Sequence, residues 1–91
     1  MKKISKEKLT KILHHAGSAH GDYEINILNG VYDDDWPAWY AAYIVGALGT
    51  EAIKPAKLTR LLMAADDAHK KQNRNIDWTT FYAGYIIDNL G

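Results

Sequence analysis

A chain of 91 residues, 47% of them hydrophobic, holds one small domain with a single core, burying roughly 60–65% of the surface it exposes when unfolded. Eleven basic side chains against eleven acidic ones leave no net charge, which removes the broad electrostatic field that nucleic acid or an anionic membrane surface would call for. Cysteine is absent, so disulfide frameworks and thiolate metal sites are excluded.

The chain opens on Met1-Lys2-Lys3-Ile4-Ser5-Lys6, a basic start with no apolar run of the signal-peptide kind behind it. A first helix is predicted from there: Leu9, Ile12, Leu13, Ala16, Ala19, His20, Tyr23 and Ile27 recur at three- and four-residue steps and share one face. Ser5 fits as its N-cap, Ile4 and Leu9 have the spacing of a hydrophobic staple, and Asn29-Gly30 is a natural stop. Gly17 and Gly21 weaken this helix by ~1 kcal/mol each relative to alanine, which leaves room for a break near Gly21. In the connection that follows, Asp33-Asp34-Asp35 lacks the spaced oxygens, central glycine and terminal glutamate of a calcium loop. It reads as helix capping and solvation.

A second helix is predicted from an Asp35 cap, with Pro37 in its first turn, a stripe of Trp36, Trp39, Tyr40, Tyr43 and Ala47, and a stop at Gly49. Residues 36–49 carry no charge but number fourteen, short of the ~20 that a membrane-spanning helix needs. Val45 and Leu48 point away from the aromatic stripe, and a helix apolar on several sides is either central or at a subunit interface. Self-association into a homodimer through Val45 and Leu48 is therefore one expectation. A third helix starts at Pro55, with Ile53 and Leu58 as its staple. Its basic edge of Lys54, Lys57, Arg60, Lys70, Lys71 and Arg74 is interrupted by Asp66 and Asp67, which favours a solvated face over a nucleic-acid footprint. A fourth helix follows an Asp77 cap, with Trp78, Phe81, Tyr82, Tyr85 and Leu90 as its stripe and Gly91 in the place of Gly49.

The second half repeats the first. Residues 35–49 and 77–91 are identical at eight of fifteen positions, and residues 4–20 and 53–69 at eight of seventeen, Leu9/Leu58, Leu13/Leu62 and His20/His69 among them. Chance would give about one in fifteen to twenty, so the chain is a tandem duplication. The expected architecture is all-α: a four-helix single domain, 1–91, made of two duplicated helical hairpins, about 4–49 and 53–91, related by a pseudo-twofold axis. The halves differ most in the link between matched blocks, residues 21–34 against residues 70–76. Tyr32, in the longer link, is placed to cover one end of the core.

His20 and His69 are the sharpest chemical feature, since each falls in the middle of an apolar face, where an imidazole must find partners for its nitrogens. Either each bonds a tyrosine hydroxyl or a backbone carbonyl, or the two approach one another or line a pocket near the axis. Tyr40, Tyr43, Tyr82 and Tyr85 form a duplicated i, i+3 set, and with the two histidines they are the candidate ligand-binding residues of an aromatic and histidine-lined pocket. His20 and Glu24, four apart, are the candidate metal pair; Asn73, a poor ligand, stands opposite Glu24 in the second half. His14 and His15 read as solvated. No catalytic residue and no cofactor is assigned.

Asp35-Trp36-Pro37-Ala38-Trp39-Tyr40-Ala41-Ala42-Tyr43, with Ala19-His20-Gly21-Asp22-Tyr23-Glu24 before it, resembles an uncharacterised group of small bacterial proteins over about the first half of the chain; that resemblance implies no activity. The expectation is a cytoplasmic, non-enzymatic helical module that binds a small molecule, a protein partner or itself. The alternative is a small enzyme or metal-binding protein using His20 and His69; a DNA-binding regulator comes third.

Overall fold

Three- and four-residue apolar steps become four helices in the computed structural model, which describes residues 4–49, 53–72 and 75–90. They are α1 (Lys6–Asn26), α2 (Trp36–Leu48), α3 (Pro55–Gln72) and α4 (Trp78–Asp88), and all regular structure among the described residues is helical. Asn73, Arg74 and Gly91, named above, lie outside them.

Local chemistry sets most of the helix ends. The Ser5 hydroxyl accepts from the Lys8 N–H at 3.0 Å, as an N-cap should. Asp77, on extended backbone, aims its carboxylate at the Thr80 N–H and also accepts from the Thr79 hydroxyl. Asp35 departs from its expected role. Its backbone, at φ −95° and ψ 18°, does not point the carboxylate at the first turn, and it makes no side-chain cap. Its own N–H instead donates to Asp33 Oδ1 at 2.9 Å, while the Trp36 N–H reaches the Asp33 carbonyl. α1 runs through Gly21 without a break and unwinds at Asn29 and Gly30, which take φ of 54° and 82°. Gly49 closes α2 in the same left-handed region.

The helices close into a ring: α1 packs on α2 and α4, and α3 packs on the same two. Leu9, Leu13, Ile44, Leu58, Leu62 and Ile86 are fully buried at its centre, each contributing about 1.5–3 kcal/mol by leaving water. Ala16, Ala41, Ala65 and Ala83, equally buried, let the backbones approach. Val45 and Leu48, the residues expected to mediate self-association, are half-buried against this same core. Ile25, Ile27, Val31 and Tyr32 are exposed around the link between α1 and α2. No helix among the described residues is long and apolar enough to cross a membrane.

Candidate functional site

His20 shares the face of α1 that carries Leu9, Leu13 and Ala16, and is 6% exposed. A buried imidazole needs partners, and they come from the link that follows α1. Nε2 lies 2.8 Å from Asp33 Oδ2. A carboxylate only accepts, so Nε2 carries the proton and donates it. The other ring nitrogen faces Glu24 Oε1 at 3.7 Å, one helical turn on. Glu24 Oε2 accepts the Asp33 N–H at 3.0 Å, and Asp33 Oδ1 accepts from Asp35. Asp33 thereby fastens the link to α1 at His20 and Glu24, and its third bond, from the Asp35 N–H, shapes the link itself. The His20 N–H, above all, holds the Asp33 carboxyl below the usual carboxylate range, with the Asp35 N–H adding to it and burial opposing.

Around His20 the aromatic stripes of α2 and α4 meet. Trp36 and Tyr40 from α2, with Trp78 and Tyr82 from α4, wall a cavity of about 250 Å³. Tyr32, 68% exposed, stands at it as well, and His20, Glu24 and Asp66 supply the polar lining. Tyr32 thus borders the cavity instead of covering an end of the core. The volume lies below the roughly 300–1,000 Å³ of a pocket for a drug-sized ligand.

The two cavity tyrosines stand at matched positions of the repeat but have different neighbours. The Tyr82 hydroxyl donates to Asp66 Oδ1 at 2.7 Å, and Lys70 pairs with the other oxygen of Asp66 at 3.0 Å. In the first half, glycine replaces that aspartate: Gly17 aligns with Asp66. A Cβ on Gly17 would come within 2.9 Å of Trp78 Cζ2, and only 3.7 Å from the Tyr40 hydroxyl. Glycine therefore admits the indole and leaves Tyr40 with no carboxylate of its own. Burial first, and then the nearby charge of Glu24, pushes the Tyr40 phenol up. Burial and then the Asp66 hydrogen bond push Tyr82 up further. Both phenols stay protonated at neutral pH.

Of the residues singled out in the sequence, His20, Glu24, Tyr40 and Tyr82 come together at this cavity. His69, Tyr43 and Tyr85 do not line it. His69 donates from Nε2 to the Ile76 carbonyl at 2.6 Å and packs its ring against Phe81 and Tyr82. Tyr43 stacks on Trp39, and Tyr85 on Phe81. Among the described residues no group of three or more His, Cys, Asp or Glu side chains is placed to hold a metal ion, so His20 and Glu24 have no third ligand there. His14 and His15 are exposed. Sequence reasoning passed over Asp33, read as capping, and Asp66, read as part of a solvated face. A signal for Asp66 was present in its mismatch with Gly17 between the matched pairs Ala16/Ala65 and Ala19/Ala68.

No family model, curated protein or solved structure matches the chain.

Proposed function

We propose that this protein is a non-enzymatic binding module, built from two related hairpins about a pseudo-twofold axis, that takes a small ligand in the cavity between α2 and α4. The observation that carries this reading is the wall itself. Trp36, Tyr40, Trp78 and Tyr82 occupy equivalent positions of the two repeats, pack on one another, and together line a single open concavity. The polar groups beside them are few and held in place: Asp66 by Tyr82 and Lys70, Glu24 by the Asp33 N–H. A mainly aromatic concavity with a few fixed polar groups is the common form of a small-molecule site.

The homodimeric version, through Val45 and Leu48, has less behind it, because both side chains already pack on the chain's own core. The small-enzyme or metal-binding alternative needs His20 and His69 in one site, and His69 does not line the cavity.

The three tryptophans make a direct test. Trp36 and Trp78 line the cavity, whereas Trp39 stacks outside it on Tyr43. With 5-fluorotryptophan incorporated, a library of small cationic, anionic and neutral fragments is screened by fluorine NMR. The expected result is a set of binders that move the Trp36 and Trp78 resonances and leave Trp39 nearly still. A library that moves none of the three, or Trp39 alone, defeats the reading.

A further inference from the structure

The wall of the cavity is a closed circuit of rings. Centroids stand 5.5 Å apart from Trp36 to Tyr40, 6.0 Å from Tyr40 to Trp78, 5.2 Å from Trp78 to Tyr82 and 6.4 Å from Tyr82 back to Trp36. Three of these four pairs meet edge to face, with interplanar angles of 84°, 71° and 74°, and the fourth is stacked at 28°, so the four rings form one continuous aromatic cluster along the cavity. Two are indoles and two are phenols, the rings with the most negative π-faces among side chains. The charged groups lining the same space are Glu24 and Asp66, and neither lysine nor arginine lines it. Lys70 meets Asp66 at an oxygen that Tyr82 does not use. Glu24 has His20, at 3.7 Å, as its one ion-pair partner among the described residues.

These features select among ligand classes. An anion would meet two carboxylates and the negative faces of four rings. A neutral apolar group would fill the cavity but strip water from Glu24 and the Tyr40 hydroxyl without replacing it, at a cost of about 1–3 kcal/mol per group. A bare metal ion would lack a set of three ligands among the described residues. An ammonium group clothed in methyls sheds water cheaply, brings a diffuse positive charge against electron-rich rings, and is attracted to the two carboxylates that line the same space. Building on the binding-module reading above, we propose that the cavity is a receptor for a small organic cation of the quaternary or N-methylated ammonium class. Trp36, Tyr40, Trp78 and Tyr82 form its cage, and Glu24 and Asp66 supply the countercharge. Burial and the adjacent carboxylates push both phenols up, which keeps the cage rings neutral across the physiological range.

The test compares choline with its uncharged carbon isostere, 3,3-dimethylbutan-1-ol, each titrated into the full chain by calorimetry and followed by fluorine NMR of the labelled tryptophans. The expected result is about tenfold or greater preference for choline, with shifts at Trp36 and Trp78. Glu24→Gln, which keeps an acceptor for the Asp33 N–H, should weaken choline several-fold and leave the isostere unchanged. Asp66→Asn, which keeps an acceptor for Tyr82, is the second variant, so the proposal does not depend on one replacement folding; circular dichroism checks both. Equal binding of choline and isostere overturns the cation proposal while leaving a binding pocket. So does binding of neither when some other library fragment moves Trp36 and Trp78. Failure of every compound overturns the pocket reading along with it.

Discussion

His20 on α1 and His69 on α3 stand at aligned positions of the sequence, yet they are held differently. His20 is buried and donates to a carboxylate brought in by a long link, which Asp33 fastens to α1 through His20 and Glu24. His69 is half-buried and donates to the Ile76 carbonyl just ahead of α4. The tyrosines divide in the opposite sense: Tyr82 is tied to Asp66, while Tyr40, facing Gly17, has no such tether. The aligned stretches of sequence carry matching aromatic and imidazole rings, and the differences are concentrated in the polar groups that hold them. The cavity between the halves draws one of its carboxylates, Glu24, from α1 and the other, Asp66, from α3.

The histidine contrast should give the largest effects. His20→Ala empties a buried site against Trp39 and Tyr40 and strands the Asp33 carboxylate; a loss of about 3 kcal/mol is expected in urea unfolding. His69→Ala, from a less buried site, should cost about 1 kcal/mol. Equal losses would mean that the carboxylate clasp adds nothing beyond packing.

The tyrosine contrast comes next. Tyr82→Phe deletes the donor to Asp66 and should destabilise by about 1–1.5 kcal/mol, against less than ~0.5 kcal/mol for Tyr40→Phe. A double-mutant cycle of Tyr82→Phe with Asp66→Ala, which removes the acceptor, would sharpen this, since the coupling should account for most of the Tyr82 loss.

Two glycines of α1 offer a third contrast. Gly17→Ala drives a methyl into the Trp78 indole, and the overpacking should exceed the helix-propensity gain, for a net loss of about 1 kcal/mol. A methyl on Gly21 would meet nothing within 4 Å beyond the backbone of its own helix, so Gly21→Ala should instead stabilise by about 0.5–1 kcal/mol. Thermal melts of the two variants are expected to move in opposite directions.

The mildest effect is on pH dependence. Asp33 and Asp77 have folded-state pKa values below the unfolded value of about 3.9. Near that pH the native state binds fewer protons than the unfolded one, so their contribution is whole above about pH 5 and fades as pH falls through the depressed values. Asp33→Asn should flatten the acid limb of a stability profile. Tyr82 is shifted upward, so its contribution is whole below about pH 10 and declines as pH rises beyond that. Tyr82→Phe should remove the alkaline decline.

Much of the helical framework was legible because its causes are local. The apolar period, the Ser5 and Asp77 caps, Pro55 at the head of α3 and the left-handed Gly49 all follow from residues within one or two turns. Burial of His20 followed from its phase on α1. Its partner did not, because Asp33 reaches it only after the chain reverses at Asn29 and Gly30, and no periodicity registers a contact made across such a turn. The same limit hid the choice between Asp33 and Asp35 as the working aspartate, which depends on backbone angles at the entry to α2. It also hid the pairing of Asp66 with Tyr82, two residues on different helices whose distance depends on how α3 and α4 pack.

The ring of helices has a kinetic consequence. α1 packs directly on α4, so the first helix of the chain completes its burial only when the last one arrives. Likewise α2 leans on α3 across the boundary between the repeats. Neither hairpin can finish its core alone, and closing the ring pays loop entropy over most of the chain length before the final contacts form. Despite the likeness of its two halves in sequence, the protein should fold as one cooperative unit, with both hairpins crossing the barrier together.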